Sequence, residues 1–161
     1  KQIHHELKLT LIYVTHDQVE ALTFAQQVVV MTRGRAVQIG TASELFERPR
    51  HTFVGNFIGS PGMNFLPASV APGARGGATT LGVRPEYVTL AEPNAAGAVP
   101  ATVTQTQDVG TYWLLTAELG AEQTVRARLP LGDSIPGVGE RVWLGIVGEH
   151  TCWYKNEELV E

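Results

Sequence analysis

The chain has 161 residues, 43% of them hydrophobic and 17% charged, with a formal net charge of −4 at pH 7. This composition is typical of a soluble globular protein with one ordinary domain or two small ones. It excludes a membrane span, because no stretch approaches the ~20 apolar residues required, and nothing resembles a signal peptide. The single cysteine, Cys152, excludes an internal disulfide and fits a reducing compartment.

The charge is divided unevenly along the chain. Residues 1–61 carry six basic and five acidic side chains, whereas residues 62–161 carry six basic and eleven acidic ones, a net charge of −5. Non-specific binding to nucleic acid depends on Lys and Arg side chains that neutralise phosphates. The acidic second part therefore argues against a nucleic-acid partner.

The first informative segment combines an apolar run with a His-Asp pair. Thr10–Thr15 is apolar without alternation, which predicts a strand covered on both faces, as in a parallel α/β sheet. Asp17 and Glu20 have the spacing of a helix-capping box, so a helix is predicted over residues 17–26. His16 is then expected at the carboxyl end of a parallel strand, where open α/β sheets bind their ligands.

A hairpin and two short helices are predicted next. In chain order these are a strand over 27–32, a turn over 33–35, a strand over 36–40, a helix over 41–48 and a helix over 51–58. A Thr or Ser cap is expected to begin the first helix, and Pro49 to end it. Gly59 is expected to end the second helix.

The sequence after Ser60 has the character of an all-β domain, with short apolar runs separated by glycine and proline. Strands are predicted over 81–83, 87–90, 101–105, 112–117, 124–129 and 141–147. Residues 124–129 alternate strictly, and residues 68–80 are typical of a flexible loop. Several short strands at this spacing indicate a small barrel or sandwich.

Two segments carry a family resemblance. Val-Thr-His-Asp-Gln-Val-Glu-Ala-Leu over 14–22 and Val-Val-Met-Thr-Arg-Gly-Arg over 29–35 resemble the switch-histidine region of ATP-binding cassette (ABC) importer ATPases. The resemblance implies that His16 is catalytic, contacting the γ-phosphate of ATP in a nucleotide-sandwich dimer. An isolated histidine here would more often cap a helix or bond within a loop. The match of its neighbours favours the functional interpretation.

Further resemblances place the chain more narrowly. Residues 53–66 resemble the junction in ATPases of the maltose and sn-glycerol-3-phosphate importer group, and Leu-Gly-Val-Arg-Pro-Glu over 81–86 resembles a marker of their TOBE regulatory domain. The implied fold is an α/β remnant of an ABC nucleotide-binding domain over 1–59, followed by an all-β OB-like (TOBE) barrel over 60–161. Arg84 and Glu86 are expected to pair across a turn fixed by Pro85.

Several motifs of an ABC ATPase are missing from the sequence. It contains no Gly-Lys-Ser/Thr P-loop, no Leu-Ser-Gly-Gly-Gln-like signature and no apolar strand ending in Asp-Glu. The resemblance implies ATP and Mg for the intact parent, but the chain alone is expected to bind no cofactor and to be inactive. It is therefore interpreted as the C-terminal part of a longer ATP-hydrolysing subunit.

The resemblance also implies partners and a location. These are a second ATPase subunit and two membrane-spanning permease subunits, on the cytoplasmic face of the plasma membrane, in an importer for sugars or glycerol-3-phosphate. A regulatory protein is a candidate partner of the TOBE domain.

One alternative is a free-standing OB-like domain that binds a small anion, an oligosaccharide or a regulatory protein. Residues 1–40 argue against it, since such a module needs no buried parallel strand. Five aromatic residues could form a stacking platform of the OB type, but core packing is their commoner use: Tyr112, Trp113, Trp143, Trp153 and Tyr154.

Metal chemistry has little support in the sequence. His4 and His5 are adjacent on a predicted helix and point about 100° apart, so they cannot chelate one ion. A phosphohydrolase site built on His16 and Asp17 would need further ligands, and only Asp108 and Asp133 are available, both in turns.

The missing sheet neighbours lead to a prediction about the isolated chain. The apolar strands over 10–15 and 27–31 would expose sheet edge. Residues 1–59 are therefore expected to be poorly ordered, rearranged or buried in an oligomer, while 60–161 folds. Uniformly strong hydrogen-exchange protection across 10–31 in a monomer would contradict this.

Overall fold

The computed structural model describes residues 10–120 and 122–161. The predicted N-terminal helix and the His4-His5 pair lie outside these ranges. The described part contains three α-helices: α1 (Gln18–Phe24), α2 (Ala42–Glu47) and α3 (Thr52–Phe57). Its strands are β1 (Val28–Thr32), β2 (Arg35–Gly40), β3 (Asn64–Pro67), β4 (Thr80–Val83), β5 (Thr89–Ala91), β6 (Ala98–Asp108), β7 (Trp113–Leu119), β8 (Gln123–Leu129), β9 (Arg141–Gly145), β10 (Cys152–Lys155) and β11 (Glu158–Leu159).

The β part forms two antiparallel sheets around one core. The five-stranded sheet has the order β5-β9-β6-β7-β8, and the four-stranded sheet has the order β11-β10-β4-β3. The long strand β6 pairs with β9 through its first half and with β7 through its second, so the larger sheet curls into a half-barrel. On β8, Val125, Ala127 and Leu129 point inward, as the alternation predicted. The predicted all-β character of this part is therefore confirmed, and the curled half-barrel is consistent with the predicted OB-like fold.

Local signals located the elements from α1 to α3 well. Asp17 caps α1, as predicted, and β1 pairs with β2 as an antiparallel hairpin. Thr41 and Glu44 form a complete capping box at the start of α2. Both short helices lie within their predicted ranges.

One strand prediction is wrong, and another is displaced along the chain. Residues 10–15 form no strand, and no strand within 10–120 and 122–161 pairs with them, so their backbone lacks the neighbours that a buried strand requires. The predicted strand over 87–90 overlaps β5 at residues 89 and 90, but Tyr87 belongs to a 3₁₀ turn, Pro85–Tyr87, that precedes this strand. Pro85 fixes the backbone at the start of this turn and supplies no N–H to a sheet.

Three strands were not anticipated. β3 begins in the segment interpreted as a junction, and β10 and β11 lie beyond the last predicted strand. All three belong to the four-stranded sheet, where β4 and β10 supply their partners.

The C-terminal strands also hold the segment that precedes α3. The N–H of Leu159 donates to the carbonyl of Arg50, and the N–H of Thr52 donates to the carbonyl of Glu157, both at 2.9 Å. The hydroxyl of Tyr154 donates to the carbonyl of Pro49 at 2.8 Å. The helices α2 and α3 thus pack against the β part, whereas residues 11–14 are exposed. The predicted boundary between 1–59 and 60–161 remains a prediction.

Candidate functional site

His16 lies in an exposed bend directly before α1. The hydrogen bonds around it fix the backbone on both sides. The N–H of Asp17 donates to Thr15 Oγ1 at 3.0 Å, and Asp17 Oδ1 accepts from the N–H groups of Val19 and Glu20 at 2.8 and 3.1 Å. Within the described residues the imidazole itself has no hydrogen-bond partner.

Only one half of the predicted capping box around His16 forms. Asp17 caps the helix, but the carboxylate of Glu20 does not return to the N–H of Asp17. It accepts instead from the hydroxyls of Thr15 and Tyr13, at 3.1 and 3.2 Å. This arrangement ties residues 13–15 to the first turn of α1.

Gln18, the first residue of α1, connects this loop to a distant part of the chain. Its Oε1 accepts a hydrogen bond from the N–H of Gly59 at 2.9 Å. Gly59 follows Ile58, the residue that ends α3. The position of His16 is therefore linked to the C-terminal end of α3.

Arg84, a residue of the β part (residues 64–159, hereafter the β domain), also contacts the C-terminal end of α3. It lies directly after β4 and is only 1% exposed. Its Nη1 donates to the carbonyl of Ile58 and its Nε to the carbonyl of Phe46, both at 2.6 Å, and Nη2 lies 3.5 Å from the carbonyl of Leu45. One guanidinium thus satisfies carbonyls at the C-terminal ends of both α2 and α3, where helices leave acceptors unpaired.

The expected pairing of Arg84 with Glu86 is wrong. Glu86 instead accepts from Arg128 Nη1 at 2.7 Å. The Arg84 guanidinium stacks over the ring of Phe46, 3.9 Å from its centroid. Burial lowers the pKa of Arg84 from its usual value, and the nearby Glu86 carboxylate opposes that shift. The Arg-Pro-Glu spacing gave no signal for this, because the acceptors of Arg84 are backbone carbonyls 26 or more residues away.

Glu47 adds a second connection between α2 and the β domain. Its Oε1 accepts from the hydroxyl of Tyr87 at 2.6 Å, and its Oε2 lies 3.0 Å from Nδ1 of His150. The rings of Tyr87 and His150 stack 3.9 Å apart. Burial and then the hydrogen bond to Glu47 raise the pKa of Tyr87 to about 12. The sequence singled out neither Glu47 nor His150.

The described residues contain no cluster of metal-ligating side chains: no three of their His, Cys, Asp and Glu side chains are grouped so as to hold a metal ion. The donor set for Mg is thus lacking here, as is a phosphate-cradling P-loop in the sequence. Of the predicted site residues, His16 remains a candidate ligand for phosphate.

The aromatic residues considered for a stacking platform are mostly packed against other parts of the protein. Tyr154 is fully buried and Trp153 nearly so. Trp113 packs at the edge of the main core, and the Tyr112 ring is covered by the Arg128 guanidinium, 3.7 Å from the ring centroid. This agrees with the packing interpretation.

Known proteins match both the β domain and a longer stretch. Residues 81–153 match the family model of the TOBE domain. An uncharacterized ABC transporter ATP-binding protein of Sinorhizobium fredii is 39% identical over 165 residues, covering 89% of this chain and 43% of that protein.

Two similar proteins have more specific names. The sn-glycerol-3-phosphate import ATP-binding protein UgpC of Pectobacterium atrosepticum is 39% identical, with 89% of this chain and 45% of that protein covered. Its namesake in Yersinia enterocolitica is 40% identical, with 89% and 46% covered. The chain spans a little under half the length of these curated relatives.

Proposed function

We propose, from the confirmed resemblance to TOBE-containing ATP-binding subunits of ABC importers, that this chain is the C-terminal portion of such a subunit. The observation that carries the proposal is the extent of the similarity. It covers 89% of the chain, well beyond the TOBE match over 81–153. The relatives' names support import of sn-glycerol-3-phosphate, and the motifs support the wider group that also imports sugars.

Residues 1–59 are the end of a nucleotide-binding domain in this proposal. The support is a set of apolar side chains that the described part leaves in solvent. Leu11, Ile12 and Val14 are 79%, 84% and 90% exposed. Nearby exposed apolar residues are Tyr13, Val19, Phe24, Val29, Met31 and Ile39. Exposed apolar surface of this kind marks an interface, and here the rest of the nucleotide-binding domain would cover it.

His16 acts on the substrate ATP. Its neutral imidazole would donate one hydrogen bond to a γ-phosphate oxygen, while its other nitrogen binds a second partner that fixes the tautomer. Phosphoryl transfer depends on positioning and charge stabilisation. Loss of one well-placed donor would therefore stop turnover without harming the fold. P-loop, signature and magnesium-binding residues would come from elsewhere in the subunit, so this chain alone would not hydrolyse ATP.

The remaining parts of the proposal concern assembly. A second ATPase subunit and two permease subunits are the proposed partners, at the cytoplasmic face of the membrane, with a regulatory protein as a candidate at the TOBE domain. None of the helices within 10–120 and 122–161 has the length and apolarity that a bilayer crossing requires. The net charge of −5 over 62–161 supports the absence of a nucleic-acid partner.

The first test is to read the coding sequence upstream of Lys1. An in-frame P-loop, signature motif and Asp-Glu strand are expected. A start codon directly before Lys1 would refute the ATPase proposal and favour the free-standing OB-like binding module.

The second test measures ATP hydrolysis by the polypeptide of the whole reading frame. His16→Ala is expected to lower turnover by about 100-fold or more, the scale of losing a transition-state donor, with ATP still bound. His51→Asn is the matched control. It removes an imidazole whose Nδ1 caps α3, and the new asparagine is itself a good N-cap residue. Full turnover in His16→Ala would contradict the role of His16.

A further inference from the structure

We propose that Gln18 and Arg84 are positioning residues that tie the TOBE domain to the loop carrying His16, by holding opposite ends of one peptide group. The inference rests on the proposed function of His16. It adds a route by which the state of the β domain would affect hydrolysis.

The two contacts meet at a single rigid unit. Gln18 Oε1 accepts from the N–H of Gly59 at 2.9 Å, and Arg84 Nη1 donates to the carbonyl of Ile58 at 2.6 Å. That carbonyl and that N–H belong to the same peptide group, which is planar. Because this peptide group moves as one rigid plane, a displacement of Arg84 is transmitted to Gln18, and a displacement of Gln18 to Arg84.

Both partners are themselves fixed to their own elements. Arg84 is buried and also donates to the carbonyl of Phe46, so it cannot turn away from Ile58 without breaking a second bond. Gln18 begins α1 beside its cap, Asp17, whose own N–H is held by Thr15. His16 lies between Thr15 and Asp17, which are joined by this hydrogen bond.

Glycine at position 59 is a requirement of this arrangement. Its φ is +105°, in the region that side chains disfavour, and a Cβ there would lie 2.8 Å from Arg84 Nη1. Any larger residue would push the guanidinium away from Ile58. The short link between the TOBE domain and the His16 loop thus depends on a backbone that carries no side chain.

The test compares variants of Gln18 in the polypeptide of the whole reading frame. Gln18→Met keeps the side-chain length and removes the acceptor, whereas Gln18→Glu keeps an acceptor oxygen. Gln26→Met is the matched control, because Gln26 is exposed just beyond α1. Two readouts are needed: hydrogen exchange at the Gly59 amide, and kcat and KM for ATP.

In Gln18→Met the Gly59 amide is expected to exchange faster, and kcat to fall about three- to tenfold, the effect of one neutral hydrogen bond. KM for ATP is expected to stay within about twofold, because the lost contact serves the transition state. Gln18→Glu should restore both readouts, and Gln26→Met should change neither. Arg84→Lys should also lower kcat, and less than additively in the Gln18→Met background.

Unchanged Gly59 exchange in Gln18→Met, an unchanged kcat, or equal losses in Gln18→Glu would overturn the inference. If His16→Ala abolishes turnover while Gln18→Met keeps it, only the coupling fails. If His16→Ala keeps full turnover, the proposed function fails, whatever the Gly59 amide shows.

Discussion

Replacing Arg84 with methionine is expected to lower the free energy of unfolding by about 3 kcal/mol. Methionine retains an apolar stem but cannot donate to the carbonyls of Phe46 and Ile58, which Arg84 reaches at 2.6 Å. Each buried carbonyl left without a donor costs about 1–3 kcal/mol. The contact with Leu45, at 3.5 Å, is at the limit of a hydrogen bond and adds little.

An opposing effect limits this loss. The guanidinium is desolvated, as its lowered pKa indicates, and removing a buried charge recovers part of the desolvation cost. The net estimate of about 3 kcal/mol therefore lies in the lower half of the range of about 2–6 kcal/mol for two carbonyls left without donors. Arg84→Lys should be intermediate, since one ammonium can serve one carbonyl but cannot span both helix ends.

Urea unfolding followed by tryptophan fluorescence measures this effect. With a slope of about 2 kcal/mol/M, the midpoint should fall by about 1.5 M. Arg126→Met is the matched control, because Arg126 is exposed on β8, and its midpoint should shift by less than about 0.3 M. Equal midpoints for the two variants would refute the account of Arg84 as the cap of two helices.

Two other predictions concern tyrosines. Tyr154→Phe should cost about 1–2 kcal/mol in urea unfolding, because the buried Pro49 carbonyl loses its donor; an unchanged midpoint would contradict that bond. Burial and the Glu47 hydrogen bond raise the pKa of Tyr87 from 10.0 to about 12, so the folded protein holds this proton more tightly than the unfolded chain. The resulting stabilisation is complete below pH 10 and is lost as the pH rises towards 12. A phenolate absorbance titration should accordingly show Tyr87 ionising at a lower pH in Glu47→Gln than in wild type, although still above 10 because its burial remains; identical curves would contradict the contact.

The sequence determined the parts that depend on neighbouring residues. Asp17 and Thr41 begin their helices because short polar side chains reach N–H groups two or three residues ahead. The alternation over 124–129 fixed which face of β8 is buried, since successive side chains of a strand point to opposite sides. The motifs around His16 and Arg84 were sufficient to indicate the resemblance to ATP-binding subunits of ABC importers.

Only the tertiary structure decided which distant groups meet. Residues 10–15 have the composition of a strand, but a strand also needs partners for its backbone, and the described residues supply none. Arg84 and Glu86 have the spacing of an ion pair, yet Arg84 binds helix ends and Glu86 binds Arg128. A buried guanidinium needs acceptors, and carbonyls at helix ends need donors. Only the folded chain brings the carbonyls of Phe46 and Ile58 within hydrogen-bond distance of Arg84. The link from Arg84 through Gly59 to Gln18 follows from that packing, so no local pattern in the chain could predict it.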